Sequence, residues 1–166
     1  MTIKVGDRLP EATLREFIEV ETNGCSIGPN PFKVSDLVKG KRIVIVALPG
    51  AFTPTCSARH LPAYVASYDA FKAKGVDEIW CVSVNDAHVM RAWGRDQGAT
   101  GKIRMLADGA IEFTNKLGLA IDSGTGMGWR SRRYSMLVED GVVKVLNLEE
   151  PGKFEVSGAE RMLEQL

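Results

Sequence analysis

Apolar residues recur along this chain in two rhythms, one suited to strands and one to helices. Arg42 to Leu48 (Arg-Ile-Val-Ile-Val-Ala-Leu) is a short, nearly unbroken β-branched run, the pattern of a strand covered on both faces. Pro49-Gly50 breaks it. After Cys56, the residues Leu61, Val65, Tyr68 and Phe71 return at intervals of three and four until Gly75, which predicts an amphipathic helix starting at Cys56. The alternation then repeats: a strand over Ile79 to Val84, a helix from Asp86 carrying Val89, Met90 and Trp93, a strand over Arg104 to Ala107, and a helix from Ala110. Asp86 suits the N-cap of its helix because its short carboxylate can accept from the first free N–H groups.

The flanks read differently. Thr13 to Val20 alternates, Asn23-Gly24 is a hairpin signal, and a short helix is expected near Ser35 to Val38, so the first forty residues add strands to a larger sheet. Beyond a glycine-rich loop from Asp122 to Gly128, Asp140-Gly141 joins the strands Arg133 to Glu139 and Val142 to Leu148. Ser157-Gly-Ala-Glu160 has the form of a capping box, opening a last helix through Met162, Leu163 and Leu166. Alternating strands and helices of this kind predict an α/β protein with a parallel core. At 166 residues, with no repeat, low-complexity tract or linker, residues 1–166 are expected to form one domain.

Charge changes the picture by exclusion. Twenty-one basic residues balance twenty-one acidic ones, so no overall field draws the chain to nucleic acid or to an anionic membrane. No apolar stretch approaches the ~20 residues of a membrane span, and the first residues lack the apolar region of a secretory signal, so a cytoplasmic protein is expected. The three cysteines, Cys25, Cys56 and Cys81, cannot all pair within one chain and are expected to be reduced. The absence of Cys-x-x-Cys excludes a dithiol exchange centre of the thioredoxin kind.

Candidate chemistry centres on Cys56, where a buried strand gives way to a helix. The first turn of a helix has unpaired N–H groups and the positive end of the macrodipole, which favour an anionic sulfur. Helix starts and cationic neighbours lower a cysteine pKa from ~8.5 into a range of about 3.5 to 7.5. Thr53 can direct a hydroxyl into the same space, and Pro49 and Pro54 restrict the backbone on either side. Cys81, in the apolar strand Ile79-Trp-Cys-Val-Ser-Val, is read as a buried, inert thiol, and Cys25, after Asn23-Gly24, as an incidental turn residue. His60 lies one turn beyond Cys56, but without a third group to orient its ring a cysteine/histidine hydrolase is disfavoured. It is expected instead to pack beside the pocket and bond to backbone or a tyrosine. Cys56 and His60 supply only two ligands, too few for a metal centre. Gly124-x-Gly126-x-Gly128 has the wrong spacing for a dinucleotide loop and is expected to frame the pocket as a flexible loop.

Pro49-x-x-x-Thr53-x-x-Cys56, within Pro-Gly-Ala-Phe-Thr-Pro-Thr-Cys and followed by His60-Leu61-Pro62, resembles the peroxidatic motif of the peroxiredoxins, in their atypical or type II branch. Ser83-Val84-Asn85-Asp86, Ala92-Trp93-Gly94 and Arg132-Arg133-Tyr134-Ser135-Met136 match in the same order. The resemblance implies a thioredoxin-like fold, a central mixed sheet flanked by helices with N-terminal added strands and a C-terminal β-hairpin plus helix. It also implies a homodimer that reduces hydrogen peroxide and small organic hydroperoxides through a Cys56 sulfenic acid, without metal, haem or flavin. By this resemblance Arg133 is the active-site arginine, Thr53 activates the peroxide with it, and Pro49 shapes and shields the pocket. Arg130 and Arg132 are expected to pair with carboxylates, alternation along the strand turning Arg132 away from the face of Arg133. Members of the branch that resolve internally carry a cysteine near the C-terminus; Phe154-Glu155-Val156-Ser157 has none. An external reductant is therefore expected, glutathione or glutaredoxin ahead of thioredoxin. A peroxide sensor that passes its oxidation to a partner would need the same thiolate.

Overall fold

Strand β3 (Arg42–Ala47) has side chains buried on both of its faces, and the rest of the molecule is arranged around it. The computed structural model describes residues 1–166. Before β3 come β1 (Thr13–Ile18), β2 (Gly28–Lys33) and α1 (Val34–Val38). After it come α2 (Leu61–Ala66), α3 (Tyr68–Ala73), β4 (Glu78–Ser83), α4 (Ala87–Asp96), β5 (Arg104–Ala107) and α5 (Glu112–Leu117). The chain ends with β6 (Ala120–Asp122), β7 (Trp129–Ser131), β8 (Tyr134–Glu139), β9 (Val142–Leu148) and α6 (Ala159–Glu164). The main sheet runs β2-β1-β5-β4-β3-β8-β9, with β3, β4 and β5 parallel and the flanking strands antiparallel. Hairpins thus extend a parallel βαβ core on both edges, as the thioredoxin-like expectation required.

The pleat of β3 divides the interior. Ile43, Ile45 and Ala47 face a core with Leu14, Phe113 and Met136, while Val44 and Val46 face another with Cys56, Leu61, Tyr64, Phe71 and Trp93. Cys81 pairs with Val46 in β4 and is fully buried on that second face. Burial pushes its thiol well above the ordinary cysteine range, which fits the inert role expected of it. The prolines of β2 (Gly-Pro-Asn-Pro-Phe-Lys) are accommodated because β2 is an edge strand. Asp86 caps α4 by accepting from Val89 N–H at 2.9 Å. Gly94 lets that helix lie close to the sheet, since a Cβ there would sit 2.8 Å from Met105 Cγ.

Four expectations are corrected. The helix after Cys56 is not continuous: a π-turn spans Cys56–His60, closed by Leu61 N–H donating to the Cys56 carbonyl, and Ser67 separates α2 from α3. Pro62 accounts for the wide turn, because it has no N–H for the carbonyl four residues earlier. The glycine-rich stretch is the tip of a separate two-stranded hairpin, β6 with β7, whose strands are too short to show a period. Arg132 and Arg133 lie between β7 and β8, so strand alternation does not separate them. Nor is Ser157 a helix cap: Gly158 occupies the N-cap of α6, and the Ser157 hydroxyl donates to Glu149 at 2.7 Å.

Asp108 at the end of β5 sets the start of α5. Its buried carboxylate accepts from Phe113 N–H, Thr114 N–H and the Thr114 hydroxyl at 3.1, 2.8 and 2.7 Å. Asp108→Ala leaves those three donors unpartnered, so the unfolding free energy in urea should fall by about 2 kcal/mol or more. A change below about 0.5 kcal/mol would contradict this account.

Candidate active site

Leaving β3, the chain makes a tight turn at Gly50-Ala51-Phe52-Thr53. Thr53 N–H and its hydroxyl both donate to the Gly50 carbonyl, at 3.4 and 2.7 Å. Phe52 takes a left-handed conformation with φ of 63°, sparsely populated for a bulky residue and sustained here by the surrounding bonds. Asn85 Oδ1 accepts from Ala51 N–H at 3.0 Å and from the Ser83 hydroxyl at 2.6 Å. Trp93 Nε1 donates to Ser57 Oγ at 2.9 Å, and Arg130 donates to the Val84 and Met127 carbonyls at 2.8 and 2.9 Å. Two of the motif blocks noted in the sequence, around Asn85 and Trp93, therefore brace the cysteine loop.

Cys56 lies where this loop enters the π-turn, and its residue surface is fully buried. That burial exceeds what a helix-start position implies. The sulfur is nonetheless not sealed in hydrocarbon, since Arg133 Nη2 donates to Sγ at 3.3 Å. The other arm of the guanidinium, Nη1, reaches His60 Nδ1 at 2.9 Å. Pro49, Thr55 and Arg133 line a cleft of about 320 Å³ beside the buried thiol. Thr53 is close in sequence, but its hydroxyl proton is committed to Gly50, so its lone pairs face any incoming donor instead.

His60 bonds to backbone as expected, but its tie to Arg133 was not foreseen. Its Nε2 lies 3.0 Å from the Ser157 carbonyl, which also accepts from the Tyr64 hydroxyl at 2.8 Å. A carbonyl only accepts and a guanidinium only donates, so Nε2 carries the proton and Nδ1 accepts from Arg133. Burial lowers His60 from 6.5 to about 4; the Ser157 bond opposes that shift and the Arg133 charge adds to it. The ring is neutral at pH 7 and orients the arginine. Position 60 was visible as a neighbour of Cys56, whereas its tie to Arg133 spans more than seventy residues and has no local signature.

Ser157 is held in turn by Glu149. This carboxylate accepts from the N–H groups of Glu155, Val156 and Ser157, each at 2.8 Å, and from the Ser157 hydroxyl. Burial favours its protonated form, but these donors outweigh burial and hold it below the ordinary carboxylate range. Glu149 also bonds through its backbone, its N–H to the Arg133 carbonyl at 3.0 Å and its carbonyl to Arg132 Nη2 at 2.8 Å. Arg130 and Arg132 thus bond to carbonyls rather than carboxylates, and Arg132 borders the same cleft as Arg133, contrary to expectation. The Phe154 ring packs 4.9 Å from His60, 4.9 Å from the Arg59 guanidinium and 5.7 Å from that of Arg133.

A thioredoxin-like sheet that presents one cysteine at a helix start, beneath a bidentate arginine, defines a thiol-based redox protein. Residues 4–163 match the Redoxin family. Peroxiredoxin-2E, chloroplastic, of Arabidopsis thaliana is 48% identical over 168 residues, covering 99% of this chain and 70% of that protein. The reduced Prx3 of Vibrio vulnificus, solved in complex with hydrogen peroxide, superposes with a TM-score of 0.91 at 49% identity, covering 99% of each chain. A Burkholderia cenocepacia structure, provisionally labelled a thioredoxin reductase, reaches a TM-score of 0.98 at 58% identity, covering 100% of this chain and 99% of that one. The chain belongs to the peroxiredoxins, in their atypical type II branch.

The depressed value of His60 makes stability depend on pH in a defined window. Folding favours the neutral ring, so this stabilisation is complete above pH 6.5 and is lost as pH falls from 6.5 toward 4. The full shift corresponds to about 3 kcal/mol. Glu149, held low, adds its own loss only below its ordinary 4.5. His60→Gln keeps a donor and an acceptor without the titration, so its urea midpoint should stay nearly flat between pH 6.5 and 5 while that of the wild type falls. Parallel profiles would refute the assignment.

Proposed function

We propose that Cys56 is the peroxidatic thiolate, with Arg133, Thr53 and Pro49 completing the catalytic site. The observation that carries this reading is the Arg133 fork, one arm on Sγ and the other on His60. A guanidinium donating to sulfur favours the thiolate over the thiol, and its charge also faces the oxygen that leaves as the O–O bond breaks. Thiolate attack on one peroxide oxygen yields the Cys56 sulfenic acid, and the second oxygen departs as water or alcohol. Thr53 accepts a hydrogen bond from the peroxide O–H, and Pro49 keeps bulk water from the cleft floor. The solved complex of the Vibrio vulnificus relative with hydrogen peroxide supports that substrate here. The scheme uses no metal, haem or flavin.

We assign regeneration to an external thiol, glutathione or glutaredoxin ahead of thioredoxin. Cys25 sits beyond the β1–β2 edge of the sheet, with β1, β5 and β4 between it and β3, and Cys81 is buried and inert. The label of the Burkholderia cenocepacia relative is not carried over, because this chain lacks a Cys-x-x-Cys. Cys56→Ser should reduce peroxide consumption to background. Arg133→Lys, whose point charge cannot fork, should lower the oxidation rate by about 10²-fold. Cys25→Ser should retain wild-type turnover when glutathione with glutaredoxin, or thioredoxin, is supplied. An active Cys56→Ser protein would overturn the assignment, and a large loss in Cys25→Ser would make Cys25 the resolving thiol.

Exposed apolar side chains flank the same loop: Phe52 at 53% exposure, Trp129 at 59% and Met127 at 37%. Met127 and Arg130 both approach Gly50, which brings the β6–β7 hairpin against the cysteine loop. We assign this face to a homodimer contact. The wild type should elute as a dimer in light-scattering chromatography, and Phe52→Glu with Trp129→Glu should elute as a monomer; an unchanged mass would place the contact elsewhere.

A further inference from the structure

Three successive backbone N–H groups, those of Glu155, Val156 and Ser157, turn inward onto one point, the arrangement of an anion-binding concavity. Here the anion belongs to the chain itself. Glu149 Oε2 accepts from all three and from the Ser157 hydroxyl, while Oε1 accepts from Glu155 N–H at 3.0 Å, and the residue is only 3% exposed. No lysine or arginine lies within ion-pair distance of it. Curling around the carboxylate fixes the peptide that follows. The Ser157 carbonyl is not used by α6, whose N-terminal bond runs from Met162 N–H to the Gly158 carbonyl at 3.2 Å, and so it is free to face His60 Nε2 and the Tyr64 hydroxyl.

We propose that Glu149 is a positioning residue for Cys56 oxidation, acting through the Ser157 carbonyl to set the tautomer and ring plane of His60 and thereby the Arg133 fork. The proposal rests on the reading of Cys56 as the peroxidatic thiol and adds a side chain that never touches the peroxide: all five of its hydrogen bonds go to residues 155–157. A guanidinium held by one arm can swing about that bond, whereas one held by two arms has its plane fixed. The second arm needs an acceptor. An imidazole offers Nδ1 only while its proton sits on Nε2, and the Ser157 carbonyl keeps it there. Burial, which lowers the His60 pKa, is opposed by the Ser157 bond and also by the Glu149 charge, so the carboxylate is felt at the ring directly. The Glu149 backbone stays tied to the Arg133 carbonyl and to Arg132 Nη2 whatever side chain it carries. A substitution there removes the carboxylate and leaves the end of β9 in place.

The test measures the rate of Cys56 oxidation by hydrogen peroxide in the full chain, by rapid quench and mass spectrometry. Glu149→Ala should slow it about tenfold, because small displacements of a reacting arrangement are costly. In an Arg133→Lys background, which has no fork to aim, the same substitution should change the rate by less than about twofold, although it lowers the urea midpoint in both backgrounds. A merely structural role would slow both backgrounds alike. The second readout is the His60 tautomer in nitrogen-15 imidazole spectra, with the exposed His88, the only other histidine, as the internal control. The wild type should show Nε2 protonated and Glu149→Ala a mixture of tautomers, with His88 unchanged. Glu149→Gln, whose amide oxygen can replace Oε2 but whose NH2 then opposes Glu155 N–H, keeps the test valid if Glu149→Ala does not fold, and should slow oxidation about threefold. A wild-type oxidation rate in either folded variant, equal losses in both Arg133 backgrounds, or an unchanged His60 tautomer would overturn the proposal. Failure of hydrogen peroxide to form a sulfenic acid on Cys56 of the wild type would strike the underlying peroxidase reading instead.

Discussion

A single buried carboxylate, at the end of a chain of hydrogen bonds, determines where Arg133 points. Glu149 gathers the backbone of residues 155–157, which presents the Ser157 carbonyl to His60, and His60 then accepts one arm of Arg133 while the other reaches Cys56. Each link has a partner that can only donate or only accept, so the direction of every hydrogen bond is fixed. A carboxylate taken out of water needs several donors to remain ionised, and the tightly turned segment provides them. The same bonds tie residues 155–157 to the end of β9, directly after Phe154 on the cleft wall.

The sheet supplies the other half of the geometry. Because β3 is covered on both faces, its register and direction are strongly constrained, and the loop that follows begins from a defined point. Asn85 from the end of β4 and Trp93 from α4 then pin that loop by hydrogen bonds, while Arg130 from β7, bonded to the Val84 carbonyl, packs near Gly50. Such bracing can sustain Phe52 in a conformation it would not adopt alone. The π-turn is the remaining adjustment, widening the helix where Pro62 withholds an N–H.

What was legible in the sequence follows from the range of the interactions involved. The parallel core, the flanking hairpins and the Asp86 cap are short-range features of periodicity, turn residues and capping chemistry, and the structure contains them. The thioredoxin-like class follows from their order. Arg133 was singled out through a family resemblance, since nothing local distinguishes it from Arg132, and the two lie outside a strand where alternation has no force. Glu149 and the bond between His60 and Arg133 had no signal, because each joins positions distant in the chain. The capping-box pattern at Ser157 misled for the same reason: a carboxylate from the end of β9 takes the hydroxyl that local reasoning gave to the helix.

The complete burial of Cys56 also changes which reagents can report on it. Access, and not nucleophilicity alone, decides which electrophile reaches the sulfur of a fully buried residue that belongs to the same core as Leu48, Leu61 and Tyr64. An oxidant of two heavy atoms needs only a narrow approach, whereas a maleimide needs room for a ring and meets the partly exposed Cys25 first. Alkylation of the native protein therefore counts Cys25 ahead of the two buried thiols, and counting Cys56 by that route requires a denaturant.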